Sequence, residues 1–228
     1  IERSGANAAI IKIHNKDNKV FYQDIDKSEV DIEYSIGEPS NTGTNLDHIP
    51  FVGEYINRSG FNGYLIANGK INGQLLNLST TANATVENFT ILDTPQSTLK
   101  ITAINSNKKT DILAIQDGGN FYFRTLMDTT SSNLPYQSYV KLNNFDLRFL
   151  AGKDFSDDPR SFAYISGFWD MSGELSKIMK STGKLQINKV DISKFETNKI
   201  DNNPIYLNIS EPIGINFTKA RKFRIDKS

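Results

Sequence analysis

The chain contains no cysteine. Disulfides and thiolate metal sites are therefore excluded. Only two histidines are present, His14 and His48. They lie far apart and give a zinc site or a Ser-His-Asp triad little to work with. No Gly-x-Ser-x-Gly elbow occurs, and "ANGKING" has a Gly-Lys without Walker spacing. No enzyme and no cofactor is expected. Charge of one sign is also missing: 26 basic and 26 acidic residues give a net charge of zero. The basic footprint of a nucleic-acid binder is thus absent. No apolar run reaches the ~18 residues that would mark a membrane-spanning helix. The opening "IERSGANAAIIKI" has too short an apolar part, and no cleavage site, for a signal peptide. Strand-like alternation persists into "KARKFRIDKS". The 228 residues therefore read as one β-rich segment, 1–228, cut from a longer protein.

What the chain has is alternation. Successive side chains of a strand point to opposite faces, so a half-buried strand is apolar at every second position. Leu78, Ala82, Ala84 and Val86 keep one phase, which shifts at Phe89 and Ile91. Leu99 and Ile101, then Ile112 and Ala114, then Phe121 and Phe123 repeat it. Val140 and Leu142 give way to Phe145 and Leu147, and Leu185 and Ile187 to Val190 and Ile192. Ile205, Leu207 and Ile209, followed by Ile213, Ile215 and Phe217, end the series. The intervening residues are mainly Asn, Ser, Thr, Lys and Asp, so the pattern predicts strands with one dry and one wet face. The phase shifts predict bulges or tight corners. "DGGN", Asp117 to Asn120, predicts a tight hairpin turn because glycine adopts positive φ at no steric cost.

Helix is scarce. "GFWDMSGELSKIMKSTGKLQI", Gly167 to Ile187, holds the only Trp and is the main candidate. Leu175, Ile178 and Met179 have helical spacing over one or two turns, but an extended connection fits the stretch as well. As a helical turn it would plug an open end of a sheet. Gly37 to Glu54 lacks periodicity and reads as a long loop. Asp154, Asp157 and Asp158 bring hard oxygen ligands together, but without the spacing or glycine of an EF-hand they read as a solvated acidic loop.

The last third carries a further pattern. "YISGFWDMSG" leads through a connection to "GKLQI", followed by "PIYLNI" and "IGINF". Upstream, "NGYLIANGKINGQLLNLSTTANATVENFTI" repeats the Gly-bounded short strands. This resembles the TamB/AsmA-like family of large envelope proteins, with matches at Gly167, Ser172, Gly173, Gly183, Leu185 and Ile187. The sequence departs from the family where "ELSKIMKST" replaces a Pro-containing link. The resemblance implies a curled sheet with an apolar inside, a β-taco, in a periplasmic, inner-membrane-anchored protein. Its implied partners are phospholipid acyl chains, an outer-membrane β-barrel assembly protein and adjacent segments of its own chain.

The residues themselves predict an all-β chain with at most one or two short helices. A dry face must be covered, and helices are too few to cover it. Two solutions stay open. A curled antiparallel or mixed sheet forms an open hydrophobic groove lined by the alternating residues named above. Alternatively a β-sandwich, of the adhesin, pilus or phage-tail type, uses those residues as core and binds glycans or proteins through its loops.

Overall fold

The computed structural model describes residues 10–14, 29–37, 44–45, 61–74, 77–91, 94–148, 160–194, 205–217 and 223–227. The chain is all-β. The first strands are β1 (Ile10–His14), β2 (Glu29–Ile36), β3 (Thr44–Asn45), β4 (Phe61–Gln74) and β5 (Asn77–Ile91). Next come β6 (Thr94–Pro95), β7 (Leu99–Ser106), β8 (Lys109–Gln116), β9 (Phe121–Asp128) and β10 (Pro135–Asp146). The last are β11 (Phe162–Glu174), β12 (Thr182–Lys194), β13 (Ile205–Ile209), β14 (Ile213–Phe217) and β15 (Phe223–Lys227). All belong to one 15-stranded sheet, ordered β1-β2-β4-β5-β7-β8-β9-β10-β11-β12-β14-β15. Short β3, β6 and β13 pair with β4, β5 and β12. Every pairing is antiparallel. The sheet is open, with β1 and β15 as its outermost strands. No second sheet is present among the described residues, so the sandwich alternative is not the architecture found.

Local chemistry explains the regular succession of strands. β7 and β8 are joined by Asn107 and Lys108, both at positive φ, the two-residue hairpin that suits strand twist. β8 and β9 turn through Asp117–Asn120, with Gly118 and Gly119 at φ +88° and +74°. The Gly119 N–H donates to the Gln116 carbonyl at 3.0 Å. This is the turn the glycine pair predicts.

Each phase shift in the sequence coincides with a bulge. Between Asn62 and Tyr64 of β4, the partner strand advances from Thr90 to Glu87, which carries the extra residue that moves Val86 out of phase with Phe89. β10 gains one residue against β11 between Leu142 and Phe145, and β12 one between Ile187 and Lys189. Asn88 and Asn144 sit in two of these bulges at φ 48° and 46°. Asn tolerates this left-handed region; a β-branched residue does not. Asn88→Val is expected to cost about 1–2 kcal/mol, read as a lowered denaturation midpoint. An unchanged midpoint would mean that the bulge is not held by this residue.

The Gly167–Ile187 stretch resolves into strand, turn and strand. β11 continues to Glu174, a 3-10 helix spans Leu175–Lys180, and β12 begins at Thr182. The helix is broken at Lys177, which has φ −137°. Leu175 and Ile178 are exposed, so this turn is no plug. Its backbone is tied to the β9–β10 connection, where the Leu175 N–H donates to the Leu134 carbonyl at 3.1 Å.

Candidate functional site

In an antiparallel pair, directly opposed residues share a face. Following the register outward from β8 therefore assigns every position. Ala114 opposes Ile101, which opposes Ala84, then Ala67, then Ile36 of β2. In the other direction Ala114 opposes Phe123, then Val140, Trp169, Leu185 and Ile215. The result is an apolar row crossing ten strands without a polar residue. Nine inter-strand gaps of about 4.8 Å make it about 43 Å long. A second row runs Phe121–Leu142–Gly167–Ile187–Ile213.

The bulges keep the remaining expected lining residues on this same face. Leu78, Ala82, Val86, Leu99 and Ile112 share it by direct register. Phe89 and Ile91 rejoin it beyond the first bulge, where Phe61 stacks on Phe89 at 5.8 Å. Phe145 and Ile165 face each other beyond the second, with Phe121 and Phe145 rings 5.9 Å apart. Val190, Ile192, Leu207 and Ile209 follow the third. Ile205 and Phe217 take matching register positions opposite Lys194 and Gly183. Leu147 lies just past the end of β10, its N–H bonded to the Ala163 carbonyl at 2.7 Å. Trp169, Met171, Ile165 and Ile71 also fall on this face. They are missing from the expected set because glycines or long polar neighbours interrupt the alternation around them. The acidic cluster Asp154, Asp157 and Asp158, and His48, lie outside the described residues. No group of three or more metal-ligating side chains occurs among the described residues.

The face is only thinly covered. Among the expected lining residues with described side chains, only Val86, Ile91 and Ala114 are buried, and Leu207 is 48% exposed. A packed interior would bury nearly all of them. Covered positions are few: Thr94 and Gln116, each 2% exposed beside Val86 and Ile91, and, further along the same face, Thr125, Tyr136 and Ala163.

Six glycines share the dry face: Gly63, Gly69, Gly73, Gly167, Gly173 and Gly183. A Cβ at Gly69 would run into the Tyr34 ring and hydroxyl as well as the Thr81 carbonyl oxygen, and one at Gly167 into the carbonyl oxygen of Gln186. At Gly183 it would meet the Asp170 oxygen and stand 2.8 Å from Met171 Cα. Neighbouring backbone thus leans over the dry face at these points. Glycines and bulges are the devices by which sheets bend.

The opposite face is mostly polar and salt-bridged. Arg124 grips Asp111 with two bonds of 3.1 and 2.8 Å, which raises the guanidinium pKa further. Lys70 is raised in the same sense by its bond to Asp31. Two depressions formed by described residues, of about 400 and 710 Å³, are bordered mainly by side chains of this polar face. Asp128, at the end of β9, accepts from the Thr130 hydroxyl at 2.6 Å and from its N–H at 2.8 Å. The hydroxyl bond first, then the N–H bond, holds its carboxyl below the ordinary 3.8. With the folded pKa depressed, the contribution is full above 3.8 and is lost as pH falls through the folded value. Thr130→Ala is expected to move the Asp128 midpoint up toward 3.8 in a carboxyl NMR titration. A midpoint that stays put would assign the depression to another cause.

No protein-family model, no curated protein and no solved structure matches this chain.

Proposed function

We propose that this chain is a segment of a periplasmic bridge whose apolar sheet face carries phospholipid between the inner and outer membranes. The parent protein is anchored in the inner membrane. The same face also serves outer-membrane proteins on their way to a β-barrel assembly partner. The observation that carries the reading is the unbroken apolar row from Ile36 to Ile215, of which every member but Ala114 stays partly exposed. Its length of about 43 Å exceeds one leaflet of a hydrocarbon core about 30 Å thick. An acyl chain laid along it would bury methylenes worth roughly 0.8 kcal/mol each. One strand further, the same chain meets the same kind of surface. Movement then costs little at any step, and no fixed pocket traps the lipid. Glycines on that face let the sheet bend around its cargo. Outermost β1 and β15 offer backbone groups on which adjacent segments of the same protein continue the sheet.

The test is transfer in vitro. The protein is incubated with vesicles of phosphatidylethanolamine and phosphatidylglycerol containing a fluorescent phospholipid, then separated and analysed for lipid. Saturable uptake is the expected result. Protein that stays folded and lipid-free at all vesicle concentrations contradicts the reading.

A further inference from the structure

The polar face carries a feature that lipid carriage does not use. Tyr122 of β9, Tyr139 of β10 and Phe168 of β11 form a stripe of rings across adjacent strands. Tyr122 and Tyr139 meet edge-on at 6.0 Å, and Tyr139 and Phe168 stack at 6.1 Å. Tyr139 is 37% exposed. Lys141 stands directly opposite Phe168, and Lys184 of β12 lies 5.6 Å over the Phe168 ring. Asp170 stands opposite both Tyr139 and Lys184. The Asp170–Lys184 pairing that the register offers is not made. Neither lysine has a carboxylate within ion-pair distance among the described residues. The larger depression, of about 710 Å³, lies on the same face beside the stripe, with Leu126, Gln137 and Ser172 in its wall; its two carboxylates are each offset by a cation, Asp111 by Arg124 and Asp128 by Lys109.

We infer that this stripe, with its neighbouring depression, is a binding site for an acidic oligosaccharide. A sugar ring has apolar C–H faces and a polar rim. Aromatic rings match the faces, here the exposed Tyr139 flanked by the half-buried Tyr122 and Phe168, and they combine a large contact area with few torsions to freeze. The polar side chains match the rim: Asp170 accepts from hydroxyls, and Gln137 donates and accepts. Lys141 and Lys184 supply the charge that an acidic sugar neutralises, whereas Arg124 is already committed to Asp111. A bound peptide would add to a sheet at its edge through main-chain bonds. Strands β9 to β12 are interior, paired on both sides. Aromatic pairs that only hold register would need neither two lysines without a carboxylate partner nor the depression. The inference is independent of lipid carriage, because it uses the opposite face.

The experiment is calorimetry of the protein with hexagalacturonate, an acidic hexamer, and with chitohexaose, a neutral one. The acidic hexamer is expected to bind, with affinity falling as salt is raised. Tyr139→Leu and Phe168→Leu, which keep an apolar strand residue but remove the ring, are expected to weaken it at least tenfold. Lys141→Gln combined with Lys184→Gln is expected to erase the preference for the acidic sugar. Absence of binding by the folded protein overturns the inference. So does binding that survives both ring substitutions, or chitohexaose binding as tight as that of the acidic hexamer. Should a leucine variant fail to fold, the solvent-facing lysine pair decides alone: an unchanged preference overturns the inference.

Discussion

Gly183→Val is expected to lose the folded β11–β12 region. The new Cβ would be built into the Asp170 carbonyl oxygen and within 2.8 Å of Met171 Cα, both backbone atoms of the paired strand. Backbone cannot swing aside as a side-chain tip can, so the two strands must separate. β11 and β12 share eleven opposed pairs, from Phe162↔Ser193 to Ser172↔Thr182, and β14 is paired to β12 at Gly183 itself. Overpacking at a tight site costs about 1–3 kcal/mol for small additions, and two branched methyls against backbone lie at or above the top of that range. Hydrogen exchange should show β11, β12 and β14 losing protection together. Gly119→Ala is the control. Nothing lies within 4 Å of its added Cβ, and only the φ of +74° opposes it. That change should cost about 1–2 kcal/mol and leave the exchange of β12 untouched. Equal losses from the two variants would show that the dry-face glycines are not close-approach sites.

Val140→Asp separates carriage from folding. Val140 lies inside the ten-strand row, between Phe123 and Trp169, and is only half-buried. A carboxylate there keeps part of its water, so the full cost of burying an unpaired charge does not arise. The variant is expected to fold with a modest loss of stability. An acyl chain crossing this position would give up one or two methylene contacts of roughly 0.8 kcal/mol each and would desolvate the charge. Phospholipid uptake should fall at least tenfold. Asn83→Asp places the same charge on β5 but on the opposite face, and should leave uptake as it was. Val86→Asp forms the third arm. Val86 is 4% exposed, so its substitution should unfold the corner it shares with Thr94 and Gln116. Uptake unaffected by Val140→Asp would remove the apolar row from the transport path.

Much of this architecture was legible because strands write their faces in period two. The alternation at Leu99 and Ile101, or at Ile213 and Ile215, needs no knowledge of neighbours. Even the bulges left a trace, since an inserted residue must reverse the phase, as between Leu142 and Phe145. Other features depend on pairing and were hidden. Trp169 joins the dry row only because Val140 and Leu185 oppose it, while Gly167 and Gly173 erase the alternation on either side. β8 is apolar in both phases, with Ile112 and Ala114 on one face and Leu113 and Ile115 on the other, so periodicity assigns it no single side. The stripe from Tyr122 to Phe168 exists only in three dimensions, because its rings come from three strands. The number of layers was equally unreadable: a sandwich core and an open dry face have the same alternation, and only burial tells them apart.

Lipid carriage by the dry face can be tested by site-specific photo-crosslinking in intact cells. The probe replaces Leu142, which opposes Phe121 and Gly167 on the dry face, or Leu207, which opposes Ile192. Asn208, the next residue along β13 and therefore on the other face, serves as the control. Phospholipid adducts at Leu142 and Leu207, and none at Asn208, are expected. Adducts at no position in a folded protein, or equally at all three, would contradict lipid carriage by this face.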